Sequence, residues 1–484
     1  MQKLRSTRSR SYVAQRLRHA PLLALSCALA IGTPAAESPT PAARMTSYAN
    51  LDEWIAHDAV PFSIQSGQGL EAAIDKVVAS LGDSIELLGF AEALHGGEDI
   101  LTLRNRLFER LVQVHGFSAI AIETGFDAAA PVNDYVAGRG PSSYEALLDS
   151  GYGRAFGRLA ANRDLVEWMR HYNADRAHRI PLRFYGFDIS QGEQRIADPG
   201  RVLKLTLDYL SEIDSASAQT HRQHIESLLA QSSGWAEAWS DPAQSPLRKP
   251  VGTALRIATE DLITELRTRR PELVAKSDAE RYAAALKYAT VAREMLDFHA
   301  AVARSSGEPA NGTGLRGVRD ALMADNLLYI LSREHGRGKV LVFAHNEHLQ
   351  RGRSVWPCCG QKYQGTDVYS WWPAGSQLSD LLGPRYAVIG SAVGVSDDNG
   401  IAPPEAGSLE ARLTALPGAT LFIPTHGGLR LPAAELAALP IRSGSVKNLS
   451  YTALTPQSLT DFDWLAVLDS TAATIQLPGG SSRP

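Results

Sequence analysis

A chain of 484 residues with 44% hydrophobic and 21% charged side chains can bury a large core, as one big domain or two ordinary ones. Its net charge of -4 excludes a protein that holds nucleic acid by bulk electrostatics. The cysteine count of 3 leaves only the adjacent Cys358 and Cys359 beyond the N-terminal leader, and adjacent cysteines bridge only with strain, so a disulfide framework is excluded too.

Residues 1–19 carry many Arg and Lys and no acid, and an apolar run over 21–31 follows. Thr33, Pro34 and Ala35 then supply small residues where a signal peptidase reads. The pattern predicts a secretory signal peptide over 1–36, too short in its apolar part to span a bilayer. The expectation is an exported protein, periplasmic or extracellular, without stable membrane association. Cys27 is a weak lipoprotein alternative, since Ala24 stands where that signal wants leucine. Residues 37–50 read as a disordered spacer rich in Pro, Ala and Ser.

The fold is expected to begin at 51, with a short helix around Trp54 and an amphipathic helix over 70–81 carrying Leu70, Ile74, Val77, Val78 and Leu81. The stretch 87–123 reads as strand, turn, helix, strand. Its apolar runs lie at 87–90 and 118–122, and Ile100, Leu101, Leu103, Leu107, Leu111 and Val112 fall on one helical face between them. This βαβ unit predicts two parallel neighbouring strands joined by a right-handed crossover. Ligands of such sheets sit at the carboxyl ends of the strands, where the first strand delivers Glu92 and His95 and the second Glu123. Gly96 and Gly97 allow close backbone approach there, and the following helix N-terminus favours bound negative charge.

Helices are then predicted over 127–136 and 164–171, and a strand over 179–186 discharges onto Phe187 and Asp188. From 202 to 304 the pattern is helical throughout, with Ser277 and Glu280 spaced as a capping box. The chain therefore divides into a core first part over 51–200, a helical cap insertion over 201–314 and a core second part over 315–470. That second part opens with a helix over 317–334 and a strand over 339–343 ending in Ala344-His345-Asn346-Glu347-His348. Short strands follow at 386–389, 419–423 and 464–468, and 471–484 reads as a disordered tail. The fold class is α/β, a central and largely parallel sheet flanked by helices, with an inserted helical cap subdomain.

A lone histidine is more often structural than catalytic. Two separate turns bearing histidine, with Glu123 and Asp188 at equivalent strand ends, make coincidence the poorer account. The chain holds no GxSxG elbow or P-loop, and Cys358-Cys359 lacks the helix start a thiolate nucleophile prefers. Histidine with carboxylates remains. These side chains can activate water directly, with the acid fixing the imidazole tautomer, or bind a divalent metal that activates it. The absence of HExxH ranks the metal-dependent hydrolase second. A secreted binding protein without turnover is the reading from another class.

These segments together resemble the erythromycin esterase family over most of the chain. The resemblance rests on Glu92 to Gly96 (Glu-x-x-His-Gly), Arg104 within LTLRNRLFERLV, GFSAIAIE, VNDYVAG, WMRHYN, FYGFD, RDALMADN beginning at Arg319, and AHNEH. It implies hydrolytic opening of a macrolactone or related small-molecule ester, with His95 as general base and no cofactor required. It further implies catalytic-site positions for Glu92, Arg104, Glu123, His345 and His348, with Asp188 and Arg319 on the substrate side. The chain departs from the family pattern at Ala91, where glycine is usual, at Leu94, where threonine is common, and in the Cys-Cys and Tyr369 to Gly375 segments after the second histidine cluster.

Overall fold

Val340, Leu341, Val342 and Phe343 are apolar on both faces, and this run forms one of the strands in the middle of the sheet. A computed structural model describes residues 47–148, 152, 156–189, 191–192, 195–196, 199–239, 241–304, 313–356, 369–416 and 420–478. The predicted signal peptide, most of the predicted spacer, the Cys358-Cys359 pair and residues 479–484 lie outside them.

The sheet strands in chain order are β1 (Val60–Pro61), β2 (Leu87–Glu92), β3 (Phe117–Gly125) and β4 (Arg183–Asp188). Two short pairs stand apart from the main sheet: β5 (Gln191–Gly192) with β6 (Arg195–Ile196), and β8 (Ser354–Trp356) with β9 (Tyr369–Trp371). The main sheet is completed by β7 (Lys339–His345), β10 (Tyr386–Val395), β11 (Leu421–Pro424) and β12 (Trp464–Ser470). Its order is β1-β11-β12-β10-β2-β7-β3-β4, parallel from β12 to β4 and antiparallel at the β11 edge. The α/β, largely parallel reading therefore holds.

The helices used below are α1 (Leu51–Asp58), α2 (Leu70–Leu81), α3 (Glu98–Val114), α4 (Ala130–Val136) and α5 (Ala160–Ala174), then α6 (Gly200–Ile213), α7 (Ser215–Ala230), α8 (Pro250–Thr268), α9 (Arg270–Lys276) and α10 (Ala279–Arg304), and finally α11 (Thr313–Glu334), α12 (Asn346–Leu349) and α13 (Ala374–Leu382). Strand side chains alternate between two helical layers. Leu88, Phe90, Leu341 and Phe343 pack with α2, α3 and α5 through Ile74, Leu107 and Leu165. Leu87, Ala91, Val340 and Val342 pack with α1, α11 and α13 through Trp54, Leu327 and Leu378. Helices α6 to α10 share a third core of their own, built on Leu207, Leu255, Leu262, Val291 and Met295.

Several expectations change. Strands β2 and β3 are not neighbours, because β7 lies between them and pairs with both. The α3 crossover spans one strand position, which leaves the slot between β2 and β3 to β7, apolar and buried from Val340 to Ala344. The predicted tail is ordered through 478. The backbone N–H of Glu98 donates to Ala472 O at 3.0 Å, that of Thr474 donates to Gly96 O at 3.1 Å, and Ala160 N–H donates to Ile475 O at 2.9 Å. These pairings satisfy groups that a loose tail would leave unmet. Spacer residues 47–50 also join the fold, since Tyr48 is buried on Asp58 at 2.6 Å and Asn50 caps α1 at Glu53 N. At α10 the cap is Asp278, whose carboxylate accepts from Glu280 N and Arg281 N at 2.8 Å, while Ser277 turns back to Leu273 O.

Candidate active site

Strand register assembles the site. Glu92, the last residue of β2, lies opposite His345, the last of β7, and Ile122 lies opposite Phe343, so Glu123 follows at the same edge. The insertion of β7 thus brings all three side chains together. Gly96, at φ +95°, adopts the left-handed conformation that turns the chain from β2 toward α3. The N-terminus of α3 is not open to an anion as expected, because Glu98 N–H is taken by Ala472 O and Asp99 N–H by Thr471 Oγ1 at 3.1 Å.

His95 Nδ1 lies 2.7 Å from Glu92 Oε1. A carboxylate there accepts the Nδ1–H, which fixes the tautomer with its lone pair on Nε2. The His95 backbone is clamped as well. Its N–H donates to Ser450 Oγ at 2.8 Å, and its carbonyl accepts from Asn448 Nδ2 at 2.8 Å. The His95 side chain is 28% exposed, whereas His345 as a whole residue is 1% exposed.

His345 meets His95 edge to face at 5.2 Å between ring centroids. Its Nε2–H donates to the Ser450 carbonyl at 2.7 Å, and its Nδ1 accepts from Glu347 N–H at 3.2 Å. Burial, helped by the neighbouring His95, pulls the His345 pKa down to about 3 against the attraction of Glu123. It is a neutral, doubly engaged ring. His348 has the opposite character. Burial opposes its charge, but Asp320 at 2.9 Å and Glu123 at 3.4 Å outweigh burial and Arg319 and lift its pKa to about 9.

Glu123 gathers these groups. Its Oε1 accepts from Arg319 Nη2 at 2.9 Å and its Oε2 from the His345 backbone N–H at 3.1 Å. Burial alone would raise its pKa; His348, His95 and Arg319 hold it well below the usual range. Arg319 also grips Asp188 through two bonds, Nε–Oδ1 at 2.9 Å and Nη2–Oδ2 at 2.6 Å. Arg319 and Asp188, expected on the substrate side, are thus paired with each other behind Glu123. Removing one member of such a buried pair typically costs ~3–5 kcal/mol.

Arg104 is buried and does reach the site. It lines a cavity of about 30 Å³ with Glu92, His95, Glu123, Phe156 and Phe343. That volume suits a water molecule rather than a substrate group. Its guanidinium donates to Asn105 Oδ1 at 2.7 Å through Nη2 and stands 4.9 Å over the Phe343 ring. Burial lowers the Arg104 pKa to about 10 against the pull of Glu92, which leaves it cationic at neutral pH.

Three partners escaped the sequence reading. Asp320 lies beside Arg319 in RDALMADN, and its carboxylate accepts from His348, Trp371 Nε1 and Ala374 N–H at 2.9–3.0 Å. Its adjacency to Arg319 was a usable signal. Asn448 and Ser450 sit 353 and 355 residues from His95, in a stretch without periodicity, and nothing local marks them. Among the described residues no group of three or more His, Cys, Asp or Glu side chains is arranged to hold a metal ion.

Histidines and carboxylates gathered at the carboxyl edge of a parallel sheet define an α/β protein equipped for proton transfer. The erythromycin esterase profile matches residues 112–471, and the chain belongs to that family, as the motifs around His95 and His345 had suggested. Family membership makes it an esterase-like hydrolase. It is 23% identical over 360 residues to erythromycin esterase type II of Escherichia coli, covering 70% of this chain and 76% of that one. A Bacillus cereus protein of known structure superposes with a TM-score of 0.64 at 18% identity, over 88% of this chain and 98% of that one. A mutant of the erythromycin esterase EreC in its open conformation gives 0.61 at 17% identity, over 83% and 94%. The two structural likenesses speak for the fold.

Proposed function

We propose that this chain opens a macrolactone or a related small-molecule ester by attack of a water activated at His95. The observation that carries the reading is the Glu92–His95 pair, with Nδ1 held at 2.7 Å beside a water-sized cavity. As the water oxygen bonds to the acyl carbon, His95 Nε2 takes its proton, and Glu92 stabilises the imidazolium. The tetrahedral intermediate then breaks its acyl C–O bond, and His95 returns the proton to the departing alkoxide. The products are a carboxylic acid and an alcohol, which are one opened molecule when the ester is a lactone.

In this reading Arg104 supplies positive charge beside Glu92 and the developing oxyanion. His345, with both ring nitrogens engaged, orients the His95 loop through Ser450. Arg319 and His348 keep Glu123 ionised, Asp188 anchors Arg319, and their role toward substrate is indirect. No metal is needed for this route. The basic start of the chain and its apolar run over 21–31 support work outside the cytoplasm.

The experiment is incubation of purified protein with a panel of macrolactones and simpler esters, followed by mass spectrometry for addition of one water. Turnover that survives dialysis against a chelator supports the proposal. A panel bound without any hydrolysis points to a binding protein. Activity lost on chelation and restored by stoichiometric zinc or manganese would give the water to a metal instead.

A further inference from the structure

Away from His95, a cleft of about 620 Å³ opens between α10, the ends of α8 and α9, and the C-terminal half of α11. We infer that this cleft is a binding site for a hydroxylated organic phosphate, the class to which sugar phosphates belong.

The rim is cationic. Arg267, Arg270 and Arg333 line it, and none of their guanidinium groups has a hydrogen-bond or ion-pair partner among the described residues. Arg270 flanks a tyrosine face, at 5.9 Å from the Tyr282 ring. Arg293, also at the rim, is committed to Asp297 at 3.3 Å, and Asp325 is the exposed acid of the lining. Three uncommitted guanidiniums against one exposed carboxylate favour an anion, and guanidinium geometry matches phosphate oxygens two at a time.

The floor is unusual in another way. Lys287 and Glu294 form a buried ion pair at 2.9 Å, inside the helical core. A buried pair of this kind is generally no more stable than apolar side chains of similar size, so its presence asks for a use. Lys287 Nζ spends one proton on Glu294 Oε1 and sits 5.5 Å from both the Phe126 and Tyr329 rings. Glu294 Oε2 is buried without a hydrogen-bond partner in a cleft it helps to line. An ammonium with protons to give and a carboxyl with an unused oxygen together suit a ligand hydroxyl, which both donates and accepts.

Rim and floor thus ask for phosphate at the mouth and hydroxyls within, and the volume lies in the range of small-molecule sites. The cleft is separate from the hydrolytic centre. Arg333 lies 14 residues beyond Arg319 on α11, a rise of ~21 Å.

The test titrates the intact protein with glucose 1-phosphate and with inorganic phosphate at constant ionic strength, by calorimetry and by thermal melting. Saturable binding of glucose 1-phosphate is expected, at least tenfold tighter than inorganic phosphate. Arg270→Ala with Arg333→Ala should weaken it tenfold or more, while ester hydrolysis by the same variant stays unchanged. Glu294→Gln, which keeps the volume, should narrow the gap between the two ligands. Absence of saturable binding, equal affinity for the two phosphates, or binding indifferent to the double arginine variant would overturn the inference. None of these outcomes depends on the ester reaction.

Discussion

The imidazoles of His95 and His345 lie 5.2 Å apart and edge to face, yet they are chemically unlike. His95 is tied to a carboxylate and partly exposed, while His345 is sealed between the Ser450 carbonyl and the Glu347 N–H, with its pKa pulled down to about 3. A ring in that second condition neither accepts nor releases a proton near neutral pH. In the proposed reaction the proton-transfer role is therefore given to His95.

Ser450 ties the two histidines together, its hydroxyl on the His95 N–H and its carbonyl on the His345 ring. Ser450→Ala removes the first tie and leaves the second. Its kcat should fall about tenfold, equivalent to ~1.4 kcal/mol of barrier, with KM little changed and stability reduced by ~1–3 kcal/mol. Steady-state kinetics and denaturant melts check this, and a fall in stability with kcat untouched would make Ser450 purely structural.

Arg104 is a buried cation 4.9 Å over Phe343 and lies in the lining of the His95 cavity. If it stabilises developing negative charge, Arg104→Met should lower kcat by the equivalent of ~2.7–4 kcal/mol. Arg104→Lys should recover part of that loss. A folded Arg104→Met enzyme with normal turnover would leave the arginine only a packing role.

The Asp320–His348–Glu123 chain makes stability depend on pH. His348 has a folded pKa of about 9, raised by Asp320 and Glu123 against burial, compared with an ordinary 6.5. Its contribution is therefore complete below pH 6.5 and is lost as pH rises through about 9, a change on the order of 3 kcal/mol. Wild-type melting temperature should fall across that window, and His348→Gln should remove this part of the slope. Parallel melting curves for the two proteins from pH 6.5 to 9.5 would contradict the assignment.

Much of the site could be read from local pattern. Apolar runs followed at once by Glu92, Glu123, Asp188 or His345 marked strand ends, and the carboxyl edge of a parallel sheet is where such ends meet. Strand order was not local information. The β2–α3–β3 unit looks the same whether or not a third strand enters between its two strands, and β7 entered. The ordered stretch through 478 was missed for a similar reason. Its composition is that of a loose tail, and its order comes from backbone groups of Gly96, Glu98 and Ala160 that it satisfies. Asn448 and Ser450 act through distances in space that no spacing in the chain encodes.

The central claim is that His95 takes the proton from the attacking water, and the most direct measurement is turnover by His95→Asn on the ester that wild type hydrolyses fastest. The variant should melt like wild type and lose about 10²–10⁴ of kcat, the usual contribution of a positioned base. His345→Asn should lose less. Near-wild-type turnover by His95→Asn, with His345→Asn inactive, would place the base on the other loop and contradict the account.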